Sequence, residues 1–495
     1  MELKLNRLYR SCEAKGLPLR FNGQRAAIRC SRTFYPLGDA ISEGTYCRIW
    51  AVDRDLCGPQ FSSRPELVEF ELASAKTKAV AELKDVELGQ GRSLIMPRRG
   101  WYDIKVRYAE EYRWDQRLNE ELLQELINKG YVSEVPAASP PRELEELLDL
   151  EAIDARAAEG MMIGGAVGDA LGYPAESMSH EERARKYGYI EGFISNERTR
   201  GARGVVSDDT QMSFDTLIVL LANGYLDLED LASIFSSHRL FGIGGTVKVF
   251  LRNYKEKGMP WYLSGIKSLG NGAIMRVHPL LIAHARGIND NLSGLFADAV
   301  LATIMTHRGP LQVGLSLAFL TFITRMARPV KVDPEEELGA FSKVMRAVAG
   351  PAPVQTKRAS RVPFDPGNTA DEYIVNAVEW GLEHNVKVEH MASERLAGSG
   401  GHVLETVPLA LFISLKYADD PLRAVLEAAN KTHDNDSIAS MVGAVMGARH
   451  GVKPFLGLAS RLCGCLRERD QGTIQRLVRE TVCFVNRRGN ARHHR

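Results

Sequence analysis

From Asp208 to Ala222, Pro310 to Met326, Glu405 to Tyr417 and Ser437 to His450 the chain runs in long apolar-rich stretches with little strand alternation. Such runs predict long helices. Small residues recur at Gly164, Gly165, Gly168 and Gly172, and again at Gly443, Ala444, Gly447 and Ala448, which predicts two helices whose backbones approach closely. Before about Gly100 the pattern differs. β-Branched and aromatic residues alternate there with Gly and Pro punctuation, predicting short strands and turns in a smaller α+β module. Leu118, Leu122, Leu123, Leu126 and Ile127 share one helical face, and Gly130 is the expected stop. Prolines and small residues in Val135–Arg142 read as a linker. The expected division is therefore a module over 1–135, a linker over 136–154, a helical domain over 155–485 and a basic tail over 486–495. Within the helical domain, Lys331 to Asn368 carries several prolines and reads as a surface excursion.

Charge changes this picture little, because 63 Lys and Arg balance 62 Asp and Glu. That balance excludes a chain-wide field for holding nucleic acid or an anionic membrane. The opening residues lack a secretory signal pattern, and no segment reads as long and apolar enough to span a bilayer. A cytoplasmic protein without membrane contact is the expectation. Of seven cysteines, Cys12, Cys30, Cys47 and Cys57 lie early and Cys463, Cys465 and Cys483 late, with no CxxC pair. This spacing argues against a disulfide framework or a zinc ribbon and for reduced, packed thiols.

The candidate chemistry sits in two short clusters. Ser207-Asp208-Asp209-Thr210 and Asp434-Asn435-Asp436-Ser437 each place two carboxylates beside a hydroxyl at the start of a helical run. Helix capping explains either one by itself. Together they offer four acids and several hydroxyls, the hard oxygen donors that Mg²⁺ or Mn²⁺ prefers.

Seven blocks in one order carry a family resemblance. They are Gly164–Glu176, Ser207–Gln211, Gly242–Thr246, Gly270–Arg276, Thr306-His307, Val403–Pro408 and Asp434–Ala439. Over roughly residues 158–452 the chain resembles an ADP-ribosylglycohydrolase. The resemblance implies an all-α orthogonal helical bundle around two Mg²⁺ ions, with Mn²⁺ as the alternative metal. It implies Ser207, Asp208, Asp209, Asp434, Asp436 and Ser437 as metal ligands. Asp208 or Asp434 is then expected to assist deprotonation of water, and Glu176 to orient that water or gate the site. For Glu176 the plainer reading is a solvated loop acid. Substrate contacts are expected at Gly242, Gly244, Gly245, Ser268, Gly270, Asn271, Gly272 and His307. Glycine amides suit a diphosphate, while ordinary turns explain Gly242 to Gly245 equally. Asn271 and Arg276 also read as helix-end caps, and His307 as a structural histidine. Two departures stand out: serine at 207 and 437, where many relatives have threonine, and Thr432-His433 before the second cluster.

The expected activity is Mg-dependent hydrolysis of ADP-ribose conjugates, on an ADP-ribosylated macromolecule or a small conjugate. An alternative is an immunity or binding protein that blocks an ADP-ribosylating toxin through its N-terminal module. A binuclear phosphoesterase is a third reading. Pro65–Phe70, Gly100–Lys105 and the following helix more distantly resemble the C-terminal half of a NADAR domain, without that family's full catalytic set. A specificity or partner-binding role is expected for this module, NADAR-like or degenerate.

Overall fold

The structure, a computed structural model, describes residues 117–462 apart from 224 and 286–291, together with five short strands before them. The cysteines' side chains, Trp101, the segment Pro65–Phe70 and the basic tail over 486–495 lie outside the described residues. Two compact units are present, one of residues 1–115 and 218–230 and one of 116–217 and 231–495. In the first, Arg20–Phe21 pairs antiparallel with Gln24–Arg25, and Arg48–Ala51 lies between Ile28–Cys30 and Tyr102–Lys105 in an antiparallel sheet.

The larger unit is helical in its described residues, apart from one parallel pair, Ile266–Lys267 beside His307–Arg308. Its centre is the pairing of helices Ala155–Gly172 and Asn435–His450, the closest packed of its helix pairs. Asp154 caps the first by accepting from Ala157 N at 2.8 Å. Apolar and small residues surround both helices on all sides, so both are buried nearly throughout. Glycine is what lets them touch. A Cβ at Gly164 would sit 2.1 Å from Gly443 O, at Gly168 1.9 Å from Ala439 O and at Gly447 1.9 Å from Gly160 O. No side chain fits in those gaps.

Helix Pro310–Ala327 differs from expectation in one respect. By length and composition it is apolar enough to cross a membrane, yet 94% of it is buried inside the protein. Helix Pro334–Ala349 packs along it, with Arg325 Nε donating to Glu337 Oε2 at 2.5 Å. That second helix also occupies much of the expected surface excursion over 331–368. Asp333 and Pro334 start it, which is where proline suits a helix.

The domain boundary falls earlier than the sequence pattern placed it. Helix Arg117–Asn128 belongs to the larger unit, where it packs on Leu292–Ile304 with Leu123 and Leu126 buried. Periodicity showed its apolar face, but not which core would take it. The second half of the expected linker is also packed. Helix Arg142–Leu147 buries Leu144 against Pro310–Ala327 and Pro334–Ala349, and Ile153 is buried as well.

Candidate active site

Asp169, in the last turn of helix Ala155–Gly172, sets the first acidic corner. It is fully buried, and its two oxygens accept from Ser207 N at 3.0 and 2.9 Å and from Thr210 N at 3.0 Å. A carboxylate from one helix thereby caps the start of another, Asp208–Asn223. Burial pushes the Asp169 carboxyl up to about 6, although these hydrogen bonds oppose the shift. The neighbouring loop is stitched to the same first turn. Asp208 N donates to Phe241 O at 2.6 Å, while Gln211 accepts from Phe241 N at 2.7 Å and donates to Arg239 O at 3.1 Å. Gly242 then sits against Asp208 at φ +84°, where an added Cβ would lie 3.0 Å from Oδ1. Both the left-handed backbone and the crowding favour glycine there.

The second corner opens helix Asn435–His450. Asp434 N donates to Ser399 O at 2.8 Å, and Asp434 Oδ2 accepts from Asn271 Nδ2 at 2.6 Å. The two corners meet at Asp209. Its Oδ2 accepts from Ser207 Oγ at 3.1 Å and from Ser437 Oγ at 3.2 Å, whereas its buried Oδ1 has no hydrogen-bond partner. Ligand atoms of Glu176, Asp434 and Asp436 lie within 4.8 Å of one another. Burial, reinforced by neighbouring carboxylates, pushes Asp208, Asp209 and Asp436 well above the usual carboxylate range. Burial also raises Glu176, against the pull of Arg198. An unsatisfied carboxylate oxygen among clustered like charges fits a hard divalent cation.

A cavity of about 380 Å³ opens over these groups. Glu176, Asp208, Asp209, Asp434, Asp436 and Ser437 line its acidic part; Gly242, Gly244, Gly245, Gly270, Asn271, Gly272 and His307 line the rest. Ser207 and Ser268 stand behind that lining. Ser268 Oγ accepts from Gly270 N at 3.1 Å and bonds Thr246 Oγ1 at 2.8 Å, so it braces the loop. His307 is buried against the glycines. A Cβ at Gly272 would lie 2.8 Å from its Cε1, and one at Gly270 3.3 Å from its Nε2. Burial, aided by Arg276, depresses the imidazole to about 3, leaving it neutral.

Several residues that hold the site together escaped the sequence reading. Asp169 had one signal, being the only charged residue in the small and apolar stretch Gly164–Ala175. Arg183 had none, since it lies in the polar helix His180–Tyr187. Its buried guanidinium donates to Met178 O at 3.0 Å, Asn430 O at 2.6 Å and Thr432 O at 2.7 Å, tying the Glu176 loop to the approach to Asp434. Arg276 is also buried rather than solvated at a helix end. It donates to Gly272 O at 3.2 Å, Ala302 O at 2.9 Å and Thr306 Oγ1 at 2.9 Å. Arg198 pairs with Glu176 and lies over the Tyr173 ring. Gly400 and Gly401 also line the cavity, as does His433, one of the two residues that set the approach to the second cluster apart in the sequence.

The sequence model of the family described as ADP-ribosylglycohydrolase matches residues 151–491. Among similar curated proteins, the uncharacterized protein YegU of Escherichia coli (strain K12) is 28% identical, over 59% of this chain and 87% of its own. ADP-ribosylarginine hydrolase Tri1 of Serratia proteamaculans is 26% identical, over 60% of this chain and 74% of its own. ADP-ribosyl-[dinitrogen reductase] glycohydrolase of Rhodospirillum rubrum is 34% identical, over 31% of this chain and 52% of its own.

Proposed function

The chain belongs to the ADP-ribosylglycohydrolase family, and from that premise we propose that it hydrolyses the glycosidic bond of an ADP-ribose conjugate at the acidic cavity. The observation that carries this reading is the convergence of two distant acidic corners on Asp209, whose Oδ2 accepts from both Ser207 and Ser437. Relatives named as an ADP-ribosylarginine hydrolase and an ADP-ribosyl-[dinitrogen reductase] glycohydrolase support the substrate class.

Cleavage passes through an oxocarbenium-like transition state, which calls for a positioned water, negative charge nearby and a proton acceptor. Asp208 and Asp434 both line the cavity, and either would take a proton from the attacking water and pass it to the departing group as the glycosidic bond breaks. Glu176 faces the same space and orients that water, with Arg198 holding its carboxylate in place. Backbone amides in the Gly242–Gly245 and Gly270–Gly272 loops receive the diphosphate, because glycine leaves the N–H groups open to close approach. Neutral His307 closes the floor without adding a charge. Two Mg²⁺ ions, or Mn²⁺, held by Ser207, Asp208, Asp209, Asp434, Asp436 and Ser437, would supply positive charge to bind ribose hydroxyls and acidify water.

A panel of ADP-ribosyl linkages, to arginine, serine, phosphate ester and nucleic acid, offered with and without Mg²⁺ tests this reading. Metal-dependent release of free ADP-ribose from at least one linkage is the expected result. AMP as the product would instead identify a phosphoesterase, and no release from any linkage would reject the assignment.

A further inference from the structure

Arg308 follows His307 on the short strand at the cavity floor, and its side chain points to a segment outside the matched family region. That region begins at residue 151. The guanidinium grips Glu134 with both arms, Nε to Oε1 at 2.8 Å and Nη2 to Oε2 at 3.0 Å. It also donates to Tyr131 O at 2.5 Å and Tyr262 O at 3.1 Å. A planar fork held at four points has almost no freedom to rotate. Its backbone is equally committed. Ile266 pairs with His307 and Lys267 with Arg308, and Ser268 N donates to Arg308 O at 3.4 Å. The strand fixed by Arg308 therefore sets both His307 and the loop running on to Gly270 and Gly272.

Glu134 is buried, and Ser133 N donates to its Oε2 at 2.9 Å. The Tyr131 ring lies 5.4 Å from that of Tyr262, beside the same strand. Upstream, Asn119 Nδ2 donates to Asp298 Oδ1 at 2.5 Å, and Asp298 Oδ2 bonds His284 Nε2 at 2.9 Å. The segment is thus anchored at both ends. We infer that Glu134 is a positioning residue for the substrate cavity: through its bidentate pair with Arg308 it fixes His307 and the 266–272 loop, making residues 117–135 a working part of the hydrolase unit. This deepens the proposed function, whose substrate class it assumes only in its binding arm.

The test uses the full chain carrying Glu134→Ala or Glu134→Gln. Hydrogen–deuterium exchange is expected to quicken at 266–272 and 307–308 while 160–172 stays protected. Glu134→Gln, which keeps the shape and loses the charge, should show a smaller change in the same segments. ADP-ribose binding by calorimetry should weaken by roughly ten- to a hundredfold in Glu134→Ala, the scale of a small misplacement of binding groups, with partial recovery in Glu134→Gln. If Glu134→Ala does not fold, the pattern in Glu134→Gln decides. Unchanged exchange at 266–272, or an increase spread evenly over the chain, would overturn the inference. Failure of the parent chain to bind ADP-ribose would count against the proposed function, while the exchange pattern would still decide the role of Glu134.

Discussion

Ser437 Oγ donates to Asp209 Oδ2 at 3.2 Å, joining two acidic corners that stand 228 positions apart in the chain. The bond brings clustered carboxylates together in a buried place, an arrangement that costs folding free energy until a cation or protons balance it.

Asp209→Asn combined with Asp436→Asn removes two of those like charges. In chelator the double variant should melt at a higher temperature than the parent, as measured by calorimetry. Mg²⁺-dependent ADP-ribose release should fall by at least about a hundredfold, the upper end of the loss when even an outer partner of a metal site is removed. Retained turnover would disprove the metal-ligand assignment.

Asp169→Ala removes the acceptor that Ser207 N and Thr210 N share. The loss should be about 1–3 kcal/mol in urea unfolding, the cost of leaving a buried polar group unsatisfied. Turnover should fall as well, since Asp208 and Asp209 follow directly from the capped turn. A variant as stable as its parent would show that the cap is dispensable.

Gly168→Ala would force a Cβ to within 1.9 Å of Ala439 O, so the two central helices must separate. Overpacking of this kind costs about 1–3 kcal/mol or more. Gly130→Ala meets nothing within 4 Å but keeps a φ of +70°, worth about 1 kcal/mol. Comparing the two by denaturant unfolding checks the order, and a milder effect at Gly168 would contradict the packing described.

Burial depresses His278 to about 4, well below its ordinary 6.5. Protons therefore bind the unfolded state first, so the stability due to the neutral ring is complete above pH 6.5 and is lost as pH falls toward 4. By pH 5 the loss is roughly 2 kcal/mol. The raised carboxylates act in the opposite sense, so the informative comparison is His278→Gln against the parent. The variant should lose less stability between pH 7 and pH 5 in urea titrations, and parallel curves would refute the assignment.

Local pattern determined much of this protein. The apolar run at Pro310–Ala327, the small residues facing each other in Ala155–Gly172 and Asn435–His450, and the acids at two helix starts were all legible, because period and capping act over a few residues. Tertiary structure alone decided that the acidic corners share Asp209, that helix Arg117–Asn128 joins the larger unit, and that Arg183 and Arg276 are buried. A buried charge is recognised by what satisfies it. For Arg183 those partners include carbonyls near residue 430, and for Arg308 a carboxylate at residue 134, contacts that no local periodicity encodes.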